Sequence, residues 1–550
     1  NLDEYFPMDK NNIQSYFYFM HEHLFNHVNI LPENINIPDG TISTENLYQY
    51  CIDYEMKMKD LGGLDFQLLG IGRTGHIGFN EPGSHLNSGT RIITLNNITR
   101  VDAAPSFFGI ENVPRKAITM GIGSVRDAKR IVLLAWGANK NTIIKEAIEG
   151  QISSMVPATY LQQHNNTTFI LDEEASSELT RVKTPWLVKS CVWDNTLKLK
   201  AVTWLSALLS KPILKLTDKD YNDNGMSGLL TEEGTAYDLN IKMFNTLQST
   251  ITGWPGGKPF ADDSNRPERA TPSKKRVIIF SPHPDDDVIS MGGTFDRLVQ
   301  QGHEVHIAYQ TSGNIAVSDE EAFKFAEVSK GLSSDSKELN DIIEFIKNKK
   351  GNHVIDSLAV RKLKGSIRKS ESLAATRYFD LPDKNVHFLN LPFYETGTIK
   401  KGRLSKDDVD IMKSVIDAVK PHQIYAAGDL ADPHGTHKVC LDALFIALEE
   451  MKSEKEYMKD CWVWLYRGAW HEWDSHEIEM AVPMSPDQVL RKRHAIFYHQ
   501  SQKDGVMFQG DDSREFWVRV EDRNRLTAKR YNDLGLSEYA AIEAFKRYYF

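Results

Sequence analysis

From Arg276 the chain reads Arg-Val-Ile-Ile-Phe-Ser-Pro-His-Pro-Asp-Asp-Asp, an apolar run that ends in a double-proline frame and three consecutive carboxylates. Val277 to Phe280 are β-branched or aromatic, which predicts a strand buried on both faces, and Pro282 and Pro284 prevent the extended run from continuing. His283 and the acids are therefore expected in a rigid turn at the strand's C-terminal end, the edge where open α/β sheets bind ligands. A second block repeats the order of strand, loop and helix. Gln423-Ile-Tyr-Ala-Ala is followed by Gly428-Asp-Leu-Ala-Asp-Pro-His-Gly-Thr-His437, and Val439, Leu441, Leu444, Phe445 and Leu448 then recur at helical spacing. His434 or His437 is thus expected to meet His283 across neighbouring strand ends.

Two histidines and one aspartate leave a coordination position open, the pattern of a catalytic zinc site and not of a closed structural one. The plainer reading, acids that only cap the next helix, explains one carboxylate but not the proline frame or the distant His-x-x-His. These residues resemble the LmbE and PIG-L type of zinc-dependent N-deacetylase over roughly residues 273 to 510. The resemblance implies that His283, Asp286 and His437 hold Zn2+ or another divalent metal. It implies Asp285 as general base and His434 as the group that stabilises or protonates the tetrahedral intermediate. Adjacent side chains diverge, so Asp286 is expected to face the metal and Asp285 the attacking water. Arg368 and Glu371 match an Arg-x-x-Glu helix, with Arg368 at the substrate, and His499-Gln-Ser-Gln502 matches a late His-x-Ser-Gln; Asp287 stands where Glu is usual.

Composition limits the other choices. With 550 residues, 41% hydrophobic and 10% aromatic, the chain has material for at least two cores. A net charge of -10 argues against a nucleic-acid partner. Cys51, Cys191, Cys440 and Cys461 form no Cys-x-x-Cys pair, so neither a disulfide framework nor a cysteine zinc knuckle is indicated. No apolar run approaches the roughly 18 to 20 residues that span a bilayer. A cytoplasmic protein without a membrane span is the expectation. The start at Asn1, inside a domain and without Met, leaves a signal peptide undecided.

The pattern predicts two Rossmann-like α/β domains with mainly parallel sheets, joined by a small helical connector: residues 1-190, 191-272 and 273-550. Phe66 to Leu69, Ala117 to Met120, Ile131 to Ala135 and Phe169 to Leu171 read as strands and Asn141 to Glu149 as a helix. Ala236, Leu239, Met243, Leu247 and Ile251 fall on one helical face, and the Pro, Gly and charged stretches from Gly253 to Ser273 mark a linker. Trp462 and Trp464 read as core strand residues within an aromatic cluster that also includes Tyr466, Trp470 and Trp473. Gly70-Ile-Gly-Arg-Thr-Gly75 fits a dinucleotide fingerprint, yet Gly78, Pro82 and Gly83 forbid the long helix that such a site needs. The glycines instead let backbone pass close to a small substrate, with His76 and Glu81 projecting into the pocket.

That loop, with Leu2-Asp-Glu-Tyr upstream, resembles the glucosamine-6-phosphate deaminase and isomerase family through about residue 185. The resemblance implies Asp3 as the proton-transferring base, His76 as the ring-opening residue, Glu81 as its acidic partner and Lys140 as a ligand of the substrate phosphate. It also implies an oligomer, and an upstream strand and phosphate loop that this sequence does not include. Thr74 stands where the family has an aspartate, and Ser106 stands where it has a phosphate-binding arginine before Phe107 and Phe108. Ser84 and Arg91 match an allosteric pattern in which Ile93 replaces a frequent lysine, so little allosteric activation is expected. Together the halves imply hydrolysis of the N-acetyl amide of an N-acetylglucosamine-type saccharide. The first domain is then either a second catalyst, acting on the freed amino sugar, or a recognition module. The alternative is a noncatalytic carbohydrate sensor or scaffold built from two enzyme folds.

Overall fold

The short apolar runs of the first 190 residues resolve into strands β1 (Asp3–Phe6), β2 (Phe66–Leu69), β3 (Arg91–Thr94), β4 (Lys116–Thr119), β5 (Arg130–Ala135) and β6 (Thr167–Leu171). In this computed structural model, residues 1–104, 106–107, 109–259, 273–332, 337–349, 355–397, 401–428, 435–468, 471–502 and 514–550 are described. The chain divides into two compact units, Asn1–Cys191 and Val192–Phe550.

In the first unit a parallel sheet of order β2-β5-β6 carries the larger core, with Ile131, Leu133, Ile144 and Ala147 wholly buried. A second, antiparallel ladder of order β1-β4-β3 lies apart from it. Its central strand β4 answers to the strand read at Ala117 to Met120, whereas β1 was not legible in the sequence, because Asp3-Glu-Tyr-Phe opens on two acids and becomes a strand only through its register of Asp3 against Thr119. Residues 70–90, after β2, contain no helix, in keeping with Gly78, Pro82 and Gly83.

The second unit is built on a seven-stranded sheet. Its strands are β7 (Arg276–Ser281), β8 (Glu304–Tyr309), β9 (Val386–Phe388), β10 (Gln423–Ala427), β11 (Trp462–Tyr466), β12 (Met480–Met484) and β13 (Ala541–Tyr548), in the order β12-β13-β11-β10-β7-β8-β9. The five strands from β11 to β9 are parallel, and β13 and β12 extend the sheet antiparallel. Val277, Ile278, Ile279 and Phe280 are all 0% exposed, so β7 is covered on both faces, each such side chain contributing about 1.5–3 kcal/mol. Trp464 is likewise in the core, and the Trp473 indole donates to Leu465 O at 3.1 Å, so these rings are structural; Trp470 lies outside the described residues.

The helix Ala236–Thr250, read from sequence as part of a connector, packs within the second unit. Its face of Leu239, Met243 and Leu247 is buried, and Thr250 Oγ1 is 3.0 Å from the Tyr531 hydroxyl. The expected linker falls largely on residues 260–272, outside the described set. Among the described residues no helix is long and apolar enough to cross a membrane.

Candidate active sites

Strand β7 ends at Ser281, and the helix Asp286–Gln300 begins five residues later, so His283 sits at a sheet edge between two prolines. The turn is held by its carbonyls. Thr311 Oγ1 donates to Pro282 O at 2.8 Å, Ser372 Oγ to Pro284 O at 3.1 Å and Ser281 Oγ to His283 O at 2.5 Å. Gly313 passes directly over it with φ +64, where a Cβ would stand 2.8 Å from Pro284 Cδ. The three acids then point to different places. Asp285 is the helix N-cap but makes no side-chain capping bond, which removes the simple capping explanation for it.

His437 reaches the turn from the first turn of the helix Thr436–Glu454, which follows the neighbouring strand β10. His437 Nε2 lies 3.2 Å from His283 Nδ1 and 3.2 Å from Asp286 Oδ2, and His283 Nδ1 is 3.3 Å from the same oxygen. Three donors held about 2.0–2.1 Å from a tetrahedral zinc stand roughly 3.3–3.4 Å apart, so the observed triangle has the right size for that ion. Burial opposes the charge on Asp286, but His437 and His283 outweigh it and hold the carboxyl well below the usual range. An anionic oxygen and two imidazole nitrogens converging at this spacing form a suitable donor set for a divalent cation.

Around the triangle lies a second ring of polar groups. Asp285 Oδ1 is 3.0 Å from Arg368 Nη2, and Arg368 is almost wholly buried. Burial works against the guanidinium, yet Asp285 and Glu371 raise its pKa, so a fixed positive charge stands behind Asp285. Glu371 accepts Ser501 N and Ser501 Oγ, both at 2.7 Å, which ties the late His-Gln-Ser-Gln segment to the Arg-x-x-Glu helix Leu358–Tyr378. His499, on that segment, is buried and its pKa is lowered to about 4, chiefly by burial, so it is neutral at physiological pH. Asp287 turns inward to accept Tyr309 OH at 3.0 Å, and burial together with Asp285 and Asp286 pushes it up to about 7. Tyr309 and Thr311 carry no motif that would have revealed them; they are visible only once β8 is known to pair with β7. His434 lies outside the described residues.

In the first unit the glycine loop after β2 carries His76. Its ring lies against Gly72, where a Cβ would stand 1.9 Å from Cε1, so Gly72 makes room for the imidazole. His76 Nδ1 is 2.9 Å from Thr74 Oγ1 and 3.6 Å from Glu81 Oε2. With a carboxylate facing Nδ1, the favoured tautomer carries its proton there and leaves Nε2 as a base. Burial lowers the His76 pKa, which keeps the ring neutral. Lys140 Nζ donates to Ile71 O at 2.9 Å, bringing the lysine to the same loop, and burial lowers its pKa. Asp3 comes from the antiparallel ladder. Its partner Thr119 accepts Phe79 N at 3.1 Å, so that ladder also positions the His76 loop. Burial and the adjacent Glu4 push the Asp3 carboxyl up to about 7. Arg91 Nη2 donates to Ser84 Oγ at 2.9 Å, which joins the two residues of the expected allosteric pattern, and Phe108 is outside the described residues.

The fold and the strand-end turn place the second unit in the class of LmbE-type α/β proteins, and the first in that of the glucosamine-6-phosphate isomerases. Residues 278–448 match the family of GlcNAc-PI de-N-acetylases, and residues 3–170 match the glucosamine-6-phosphate isomerases and 6-phosphogluconolactonases. A glucosamine-6-phosphate deaminase-like protein of Bacteroides thetaiotaomicron is 52% identical over 558 residues, covering 100% of this chain and 84% of the relative. The chain belongs to this two-part family of glucosamine-6-phosphate deaminase-like proteins. A glucosamine-6-phosphate deaminase of Clostridium novyi is 48% identical over 179 residues, 32% of this chain and 73% of the relative. Among solved structures, a monomeric glucosamine-6-phosphate deaminase is 42% identical over 32% of this chain and 73% of its own, with a TM-score of 0.32. An N,N'-diacetylchitobiose deacetylase from Pyrococcus horikoshii is 16% identical over 50% of this chain and 83% of its own, with a TM-score of 0.33.

Proposed function

We propose that the second unit hydrolyses the N-acetyl amide of an N-acetylglucosamine-type sugar, with His283, Asp286 and His437 holding zinc. The observation that carries this reading is the triangle of donor atoms 3.2–3.3 Å apart, with Asp285 beside it. When bound, zinc supplies Lewis-acid activation of water and of the amide carbonyl. Asp285 takes the proton from the attacking water, and Arg368, 3.0 Å from its Oδ1, holds that carboxylate in one orientation. His434, assigned by its place in the His-x-x-His motif, protonates the departing amine or stabilises the oxyanion. Tyr309, Thr311 and Ser372 keep the turn in register and so hold the donor positions fixed.

The product is a free amino sugar, the chemistry that the first unit is suited to receive. There Asp3 moves the proton, His76 opens the ring through Nε2, Glu81 faces Nδ1 and Lys140 takes an anionic substituent. A second reading, recognition without turnover, is favoured by one feature: Thr74 offers His76 a hydroxyl where a carboxylate would stabilise imidazolium. Acetate and ammonia release from N-acetylglucosamine and its 6-phosphate separates these readings. Both products support two catalysts; acetate alone leaves the deacetylase and a recognition module. Neither product, with metal loaded, contradicts the proposal and favours a carbohydrate sensor.

A further inference from the structure

Asp285 borders a small cavity that opens between three helices. Ile289 lines it from the helix Asp286–Gln300, one turn beyond Asp285, Ile496 from the end of the helix Pro486–Ile496, and Phe516 and Trp517 from the start of the helix Phe516–Asp533. Apart from Asp285 and Ile289, the lining comes from beyond residue 448, outside the stretch that matches the de-N-acetylase family. The walls are apolar almost throughout. The cavity encloses about 20 Å³, room for one water-sized or methyl-sized group and not for a sugar ring.

Most polar groups at its edge are already engaged. Asp285 pairs with Arg368 at 3.0 Å, Gln502 Nε2 donates to Ala316 O at 3.2 Å, and Glu515 accepts the Trp517 indole N–H. His499 is the exception: it is 3% exposed, and neither ring nitrogen has a hydrogen-bond partner among the described residues. A buried imidazole left in that state costs free energy, and one that lines a cavity marks where a partner arrives.

The two ends of the scissile amide differ in what they need. The sugar end is bulky and hydroxylated, whereas the acyl end of an acetamide is one methyl and one oxygen. The attacking water lies about 2.6–3.2 Å from Asp285, and the amide carbon about 3–3.5 Å from that water. The acyl methyl, one bond further on, therefore falls within reach of the space that Asp285 borders. Apolar walls suit the methyl, and the unpaired imidazole suits the oxygen.

We infer that this cavity is the acyl subsite, sized for the methyl of an acetyl group by Ile496, Phe516 and Trp517, with His499 donating a ring N–H to the acyl oxygen. This rests on the amide-hydrolysis reading of the second unit and adds to it the length of acyl group that is accepted.

Carboxylate release from N-acetyl-, N-propanoyl- and N-butanoylglucosamine by the zinc-loaded full chain tests the assignment, together with calorimetry of acetate and butyrate binding. The wild type is expected to favour the acetyl over the butanoyl sugar about tenfold or more in kcat/KM, since one methylene too many in a fitted apolar pocket is discriminated about 10–200-fold. Phe516→Ala, half-buried at a helix start, is expected to shift that preference toward butanoyl and to strengthen butyrate binding relative to acetate. If it does not fold, Ile496→Val opens the same cavity more gently and should move the preference toward propanoyl. His499→Leu is expected to weaken acetate binding several-fold without altering the acyl preference, and His499→Gln, which keeps a donor, to recover part of it. Acetate binding at wild-type strength in His499→Leu overturns the assigned donor. An acyl preference unchanged in the enlarged variants overturns the subsite while leaving amide hydrolysis standing, and release from none of the three sugars overturns the amide-hydrolysis reading itself.

Discussion

His283 and Asp286 share one turn, whereas His437 is 154 residues from His283 in sequence and 3.2 Å from it in space. Removing either histidine leaves two donors, so His283→Ala and His437→Ala are expected to lose stoichiometric metal, measured by elemental analysis, and acetate release with it. Asp285 is different in kind. Its carboxylate faces Arg368, so Asp285→Asn is expected to retain metal while acetate release falls about 10²–10⁴-fold. The first unit offers a pH test at Asp3, whose carboxyl is raised from 3.8 to about 7. Between those values the folded protein keeps a proton that the unfolded chain has lost. The stabilising contribution is therefore full below 3.8 and is lost as pH rises through 7. Thermal melts of wild type and Asp3→Asn from pH 5 to 8 should diverge, the wild type losing stability relative to the variant. Ammonia release, if Asp3 is the base, rises over the same interval. The motif spacing revealed which acids and histidines to examine, but not His499 as a buried neutral ring or Asp287 as an inward partner of Tyr309, because both depend on neighbours distant in sequence.

The strands β7, β10 and β11 were legible because continuous β-branched and aromatic runs have few other ways to be buried. Strand β1 was hidden: its acids are buried by pairing with β4, and Glu4 is satisfied by Ser15 Oγ and the amides of Tyr16 and Phe17. The helix Ala236–Thr250 was legible as a helix, though its place within the second unit followed from tertiary contacts such as Thr250 with Tyr531. Two tests belong to this scale. Gly313→Ala forces a side chain toward Pro284 at φ +64, so it should lower stability by about 1 kcal/mol or more and loosen metal binding. The ion pair of Lys492 with Glu543 at 2.6 Å is 2% and 1% exposed and joins the helix Pro486–Ile496 to β13. Lys492→Met strands the carboxylate in the core and should cost about 3–5 kcal/mol in denaturant unfolding, more than the double variant with Glu543→Gln.

At the scale of the whole chain, each unit contains its own core and its own cluster of titratable groups. Two kinds of α/β unit were legible from two separate motif sets, whereas the full extent of the second unit was not, since the helices after residue 192 carry no motif. Chemistry in the two units should therefore separate: His76→Gln is expected to abolish ammonia release and spare acetate release, and a chelator to abolish acetate release from the N-acetylated sugar while sparing ammonia release from the free amino sugar supplied directly. The central claim concerns the His283 turn. It is tested most directly by measuring bound metal and acetate release from N-acetylglucosamine on the same preparations of wild type and Asp285→Asn. Equal, stoichiometric metal in both with acetate from the wild type alone is the predicted result; a metal-free wild type, or acetate at the wild-type rate from Asp285→Asn, would contradict it.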